Sequence, residues 1–440
     1  MAEIFTPTPL LTRSPHLNLL QRPCFCLVAF FALLLVACWG GSDTPDQPKL
    51  TPAPSPTPVK LGPAQPEVDR ILEHTQVLSS EIGTRVAGSP QEDEAAAYAS
   101  ELLSAWGYDV ELQDFQAEGA DLQRHATLTI EGAEGGEFIV ASLFGSRSGQ
   151  VKGQLVDAGT GRPEEFPADA GDNIVLIQRD DVTFVDMTTR ALEAGAAGVV
   201  IVNKEPGRFP GVLDPAVDIV AAGISPKDGG MLRDLLAAGD VEVTLNVRES
   251  VTAHNVIARP ASGTCRTLSG GHYDSVPWSP GAYDNASGSA IVLELARATA
   301  AAGLSDHCFA LWGGEEGGLQ GSSFFVSELT DSDAELLEAV FNYDAAGGPS
   351  DPVLIGTTLL ADQAEAVAED LDITVTVTIL PENASSDHAP FIEAGMAALM
   401  LTASGVDTLH TAADTFENLV PTSLQPIADL GFALLQEAFS

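Results

Sequence analysis

At 440 residues the chain is long enough for two domains, or for one domain carrying a large insert, and its 45% hydrophobic content supplies a core and excludes a globally disordered polymer. Twenty Lys and Arg stand against 62 Asp and Glu, a formal charge of -42 that repels phosphate backbones and excludes nucleic acid as a partner. The same acidic excess attracts cations, metals among them.

In chain order, Arg13 and Arg22 precede the apolar run "FCLVAFFALLLVACW" at residues 25–39. Its fifteen residues fall short of the roughly 17–25 a spanning helix needs and fit the core of a signal peptide. The run ends in "LVAC" followed by Trp39, Gly40, Gly41 and Ser42, and so resembles a bacterial lipoprotein signal. That resemblance implies removal of residues 1–37, a lipid on the Cys38 thiol, membrane contact through this anchor only, and an extracytoplasmic location. A plain secretory signal, giving a secreted protein, is the alternative. Residues 38–66 hold eight prolines between Pro45 and Pro66 and read as a semi-extended tether.

Residues 67–120 open the globular body. Val68, Ile71, Leu72 and Leu78 recur at near-helical spacing, and Tyr98, Leu102 and Trp106 repeat every fourth residue. Gly107 stops this second helix, and "YDVELQDF" alternates as a strand.

Residues 121–249 change to short β-rich runs around one α/β unit: a strand over 174–177, a helix over 184–194 and a strand over 199–202. A dinucleotide fold needs G-x-G-x-x-G directly after the first strand; "QRDDVTF" stands there instead. Residues 155–203 resemble the protease-associated (PA) domain, with its strand, Arg-containing turn, helix and "AGAAGVVIVN" strand. The resemblance implies a non-catalytic module that covers a peptidase as a lid or substrate-selecting surface. "GSRSG" at 145–149 matches the nucleophile elbow G-x-S-x-G, but the strand-like "QVKGQLVDAG" follows it where that motif needs a helix. A serine hydrolase is therefore set aside.

In residues 250–440, "HNVIAR", "TLSGGHYDS", "CFALWGGEE", "AVFNYDAAG", "DITVTVTIL" and "MAALMLTA" are strand candidates, with helices between them such as 289–302. The pattern predicts an α/β/α sandwich around a mostly parallel sheet, binding its ligand beyond the carboxyl ends of the strands. His272, Asp274, Asp284, Glu315, Glu316, Asp344 and His410 all fall at those ends. Two divalent ions carry four positive charges; Asp284, Glu316, Asp344 and one hydroxide carry four negative ones, with neutral His272 and His410 completing the set. Imidazole and carboxylate together suit zinc, or a similar divalent transition metal, better than calcium or magnesium. Asp274 lies two residues from His272 on the same strand face and can accept from the ring's other nitrogen.

The ordered set "H-x-D … D-N-x-S-G … G-G-E-E … N-x-D … H-T-x-x-D-T" resembles the M28 family of metallopeptidases, mainly di-zinc aminopeptidases. The likeness extends upstream to "IGTRVAGSP" and "WGYDVELQDF" and downstream to "SSDHAPFIEAG". It implies that His272 and Asp344 hold one metal, that Glu316 and His410 hold the other, that Asp284 bridges them, and that Glu315 is the general base. It also brings Asp387 and His388 near the crevice, and Asp414 is expected to brace His410. His74, His125, His254 and His307 lack partners at metal-like spacing and read as surface or packing residues.

Cys265 is seven residues before His272 and Cys308 seven before Glu315. On parallel neighbouring strands the two thiols would sit level, and a disulfide across the 43-residue separation would add about 4 kcal/mol in the chain-entropy model. The reading is then a lipid-anchored, two-metal exopeptidase that removes N-terminal residues from peptides or proteins. A carboxypeptidase, another amide hydrolase or a cyclising aminoacyltransferase stays open on the same scaffold. Outside enzymes, so does a PA-domain binding protein with an idle site.

Overall fold

A computed structural model describes residues 61–118, 125–132, 136–205, 211–248, 250–381 and 384–437. The apolar N-terminal run, Cys38 and the tether up to residue 60 lie outside the described residues.

Four runs buried at every position form the middle of an eight-stranded sheet: His307–Trp312, Thr267–His272, Ala339–Tyr343 and Ala398–Thr402, parallel and adjacent in that order. A strand covered on both faces needs no polar side, so these runs read as nearly continuous apolar sequence. Successive side chains point to opposite faces. Phe309 and Leu311 join the core beneath helix Ser287–Ala302, whereas Cys308, Ala310 and Trp312 join Phe325 and Phe391 on the other side. Helices Val68–Gln76, Pro90–Ala105, Thr358–Asp370 and Leu424–Glu437 add Ile71, Leu103, Leu360 and Ile427 to the first face. Gln320–Glu328 and Ala389–Glu393 cover the second. The result is an α/β/α sandwich; each fully buried Ile, Leu or Phe in it stabilises by roughly 1.5–3 kcal/mol.

The sheet's flanks are antiparallel. Ser250–Arg259 runs against His307–Trp312 with Asp109–Glu118 beyond it, and Val353–Gly356 runs against Ala398–Thr402. One expected strand largely fails to form. In "DITVTVTIL" only Thr376–Val377 pairs, at the sheet edge beside Val353–Gly356, and Ile379 is 86% exposed. Ile373 and Val375 pack against the core of the sandwich, while Val377 and Ile379 are exposed, so only the first half of the alternating set is covered.

The insert leaves and re-enters along the paired ribbon Asp109–Glu118 and Ser250–Arg259, which is in register from Asp109↔Arg259 to Glu118↔Ser250. Val256 pairs with Leu311 and Ala258 with Phe309, so the ribbon's open end lies at the carboxyl ends of the central strands. Between the two ribbon strands, seven strands close a barrel. Ile174, Leu176, Val200 and Val202 fill one of its cores; the alternate residues Val175, Ile177, Val199 and Ile201 pack with helix Phe184–Glu193 in another.

The central helix also carries a buried ion pair, with Arg297 Nη2 2.7 Å from Glu294 Oε1. Arg297 donates to the carbonyls of Leu61, Pro63 and Gln65, and Glu294 accepts from Glu67 N–H, so residues 61–67 are tied to the core.

Cys265 and Cys308 form a disulfide, with Cα atoms 5.3 Å apart. The thiols are not level along the strands, because the register sets Cys308 beside Leu268 and Cys265 reaches it from the turn before the strand. His272 ends its strand whereas Glu315 lies three residues past Trp312, so equal sequence offsets do not give equal heights. Replacing both cysteines by serine is expected to lower unfolding free energy by about 4 kcal/mol for the 43-residue separation, as read from denaturant midpoints.

Candidate active site

Each central strand delivers a polar group at its carboxyl end. His272 is the last residue of its strand, Asp344 follows Ala339–Tyr343, and Glu315 and Glu316 follow Trp312 by a short turn. Asp284 sits just before helix Ser287–Ala302, and His410 lies in the loop after Ala398–Thr402. The fold brings all of them together.

One carboxylate faces both histidines: Asp284 Oδ1 is 3.2 Å from His272 Nε2, and its Oδ2 is 2.8 Å from His410 Nε2. On the first side, His272 Nε2 lies 3.4 Å from Asp344 Oδ1 and 3.9 Å from Glu315 Oε2. On the second, His410 Nε2 lies 3.1 Å from Glu316 Oε2. His272, Glu315 and Asp344 form one group with ligand atoms within 4.8 Å of one another; Asp284, Glu316 and His410 form another.

Both ring nitrogens of His272 and Oε1 of Glu316 are buried without a hydrogen-bond partner. Buried polar atoms are normally satisfied. His272 Nε2 instead faces Asp284, Glu315 and Asp344, and with the paired carboxylates around His410 this fits a pair of cations held by imidazole and carboxylate.

The motif residues hold this arrangement through the backbone. Asn285 Nδ2 donates to the Tyr343 carbonyl (2.9 Å), while its Oδ1 accepts from Gly288 N–H (2.9 Å) and Ala345 N–H (3.1 Å). It thereby joins the start of the central helix to the end of the Asp344 strand. Ser289 Oγ donates to the His272 carbonyl at 2.6 Å. A Cβ on Gly288 would collide with the Tyr343 carbonyl, so only glycine lets helix and strand approach this closely.

Asp274 does more than face the ring. It is 3.5 Å from His272 Nδ1, and its two oxygens accept from the backbone N–H groups of Glu315 (3.1 Å) and Glu316 (3.3 Å). One carboxylate thus orients both glutamates. Asp414 is not on His410, where it was expected. It accepts from Tyr283 N–H (2.7 Å) and Asp284 N–H (3.1 Å), because the 405–415 loop folds its end back under Asp284. Asp387 is fully buried and accepts from Ser322 Oγ at 2.5 Å; burial raises its carboxyl to about 7. His388 is buried with Nδ1 unpartnered, and burial lowers its ring below the usual range.

Two supporting residues carry no ligand-like spacing. Ser386 donates to Asp344 Oδ2 (2.5 Å) and accepts from Asn342 Nδ2 (2.7 Å). Arg85 is buried and donates to the carbonyls of Leu78, Gly83, Tyr273, Pro280 and Gly281, placing a positive charge beneath the acidic cluster. Burial lowers its guanidinium to about 10, so it stays charged at neutral pH. Both lie inside the quoted stretches "SSDHAPF" and "IGTRVAGSP", the only trace of them in sequence.

Outside the site, His74 bonds Tyr98 and His307 bonds Thr267, and burial lowers both rings to about 4. His254 does have partners: its ring lies between Asp114 (2.8 Å) and Asp93 (3.1 Å), which the fold brings in from distant segments.

Electrostatics follow from burial. Burial raises Glu315 well above the ordinary carboxyl range, with Asp344, Asp387 and Glu316 adding to the shift, and raises Glu316 to about 7 with help from Asp284. Burial disfavours the imidazolium of His410, but Asp284 and Glu316 outweigh it and raise the ring to about 11; His272 is likewise raised. The two imidazolium charges outweigh burial at Asp284 and hold it below the usual range. The metal-free cluster therefore retains protons on His410 up to about pH 11 and on Glu316 up to about pH 7. Metal ligation requires neutral imidazole and ionised carboxylate, so binding releases protons and affinity rises with pH. Zinc titrations from about pH 6 to about pH 8 should show the apparent Kd falling roughly tenfold per unit for each proton released. A flat profile would contradict this.

The sequence profile described as Peptidase family M28 matches residues 255–435, and that of the PA domain matches residues 151–232. Aminopeptidase YwaD of Bacillus subtilis (strain 168) is 29% identical over 88% of this chain and 90% of its own length. Among solved structures, BSAP, a zinc aminopeptidase from Bacillus subtilis, superposes with a TM-score of 0.59 at 29% identity, covering 84% of this chain and 95% of that one. The aminopeptidase from Aneurinibacillus sp. strain AM-1 gives a TM-score of 0.53 at 30% identity, covering 84% and 94%.

Proposed function

The chain belongs to peptidase family M28, and from that premise we propose that it is a two-zinc aminopeptidase, cleaving N-terminal residues from peptides. The observation that carries this reading is Asp284, whose two oxygens face His272 and His410 separately, each histidine having further carboxylates beside it. His272 and Asp344 would hold one zinc, Glu316 and His410 the other, with Asp284 shared. When bound, such a pair lowers the pKa of a water and polarises the scissile carbonyl.

The chain's own groups handle the proton. Glu315, buried and with a raised pKa, takes a proton from the attacking water and returns it to the leaving amine. Asp274 keeps that carboxyl in place through the backbone N–H of Glu315, and through Glu316 N–H it keeps the neighbouring carboxylate turned toward His410. The adjacent glutamates thereby divide their roles.

The proposed location is outside the cytoplasm, with a lipid on Cys38. The apolar run ending in "LVAC" supports it, as does the Cys265–Cys308 disulfide, since such bonds persist in oxidising compartments.

The decisive measurement pairs zinc content with hydrolysis of an aminoacyl-p-nitroanilide panel, with and without chelator. N-acetylated peptides serve as the control for carboxypeptidase action. Two zinc ions per chain and chelator-sensitive release from free N-termini are expected; activity on the blocked peptides alone would point to cleavage from the other end. Glu315→Gln should keep both zinc ions while kcat falls about 10²–10⁴-fold, the usual worth of a general base. Undiminished turnover would remove Glu315 from that role.

A further inference from the structure

The two histidines are held differently. His272 is buried, with 1% of its side chain exposed, and has Asp274 at 3.5 Å from Nδ1. The His410 side chain is 36% exposed, and no hydrogen bond from its Nδ1 forms among the described residues. A metal-binding imidazole is ordinarily oriented by a partner on its second nitrogen. His410 must be oriented some other way. Its backbone supplies one: φ is +53°, a left-handed conformation that bulky residues keep only when their surroundings impose it.

One side chain that holds this backbone is Trp278. Its indole Nε1–H donates to the His410 carbonyl at 2.9 Å. Trp278 stands at the tip of the loop joining His272 to Asp284. Below the tip, Arg85 holds the carbonyls of Tyr273, Pro280 and Gly281, and Ser275 Oγ donates to the Ser279 carbonyl. The loop base is thus rigid, and the indole projects from it.

The rest of the indole packs outside the peptidase body. Trp278 lies against the barrel core that contains Met187, Leu213, Val217 and Ile219. Among the described residues in that cluster it alone comes from outside the insert. A single side chain therefore touches the insert with its ring and a metal ligand's backbone with its N–H.

We propose that Trp278 is a positioning residue coupling the seat of the PA-like insert to His410, so that the insert sets how firmly the second zinc is held. This rests on the two-zinc reading above. A ligand or partner that shifts the insert would act on the site through the indole, without reaching the metals.

The test uses the full chain and two substitutions. Trp278→Phe keeps an aromatic ring for the insert core but removes the N–H; Trp278→Ala removes both. Chelator competition should show one of the two zinc ions, the one assigned to Glu316 and His410, loosened about tenfold in W278F and up to about a hundredfold in W278A, the range usual for residues that orient a ligand. Hydrogen exchange on the metal-free proteins gives a readout independent of zinc. The segment 405–413 should exchange faster in W278F than in wild type, while strand Thr267–His272 stays unchanged. A purely structural loss would raise exchange in both. Equal zinc affinity and exchange in wild type and W278F would overturn the proposal, and equal weakening in W278F and W278A would overturn the insert's share in it. If wild-type protein binds no zinc, the aminopeptidase reading falls too. Two zinc ions in wild type with W278F indistinguishable from it remove this inference alone.

Discussion

Five carboxylates, from Asp274, Asp284, Glu315, Glu316 and Asp344, converge at the carboxyl ends of strands that are themselves closed to water. Buried like charges cannot all stay ionised without positive charge among them. Much of the molecule around the crevice answers that constraint. Arg85 contributes one fixed cation from beneath, and the two histidines contribute positive charge when metal is absent. Metals supply more when present. The same constraint explains the low position of Asp284 between two imidazoles and the high positions of Glu315 and Glu316.

Charge alone would not hold the ligands apart at useful distances. Parallel strands do so because all end on one side of the sheet, and their loops meet over a common crevice. Close approach of the central helix, permitted by Gly288 and fastened by Asn285, sets Asp284 between the strands that carry His272 and Asp344. Each ligand-bearing turn is then locked by a buried polar contact: Asp274 under the two glutamates, Ser386 on Asp344, Asp414 under Asp284. Asp274 and Asp414 do so by accepting from backbone N–H groups, and Ser386 by donating to a carboxylate oxygen.

The insert is continuous with this machinery. It springs from the edge ribbon at the carboxyl ends of the central strands and reaches the crevice through Trp278. A module placed there shares a wall with the site, so its seating and the geometry of the His410 loop are mechanically linked.

Local order and local spacing decided what could be read from the chain without its fold. His272, Glu315, Glu316 and Asp344 were legible because each sits at or just past the end of an apolar run that reads as a buried strand, whereas Asp284 and His410 were legible from the order and spacing of the motif set. The PA-like unit was legible for the same reason, its strands and helix being contiguous at 174–202. What pairs with what across the molecule was not. Asp414 lies four residues from His410 yet serves Asp284; Cys265 and Cys308 bond without sharing a strand level; His254 meets Asp93 and Asp114 from remote segments; and "DITVTVTIL" pairs only at Thr376–Val377, with its second half exposed. Nothing in the sequence marks the roles of Arg85, Ser386 and Trp278, even where Arg85 and Ser386 fall inside quoted stretches, since those roles consist of reaching carbonyls and carboxylates that only folding brings near. The sequence by itself determined the ligand types and their order, because metal chemistry restricts which side chains can serve. Tertiary structure decided which groups orient them, because a hydrogen bond depends on distance in space and not on separation along the chain.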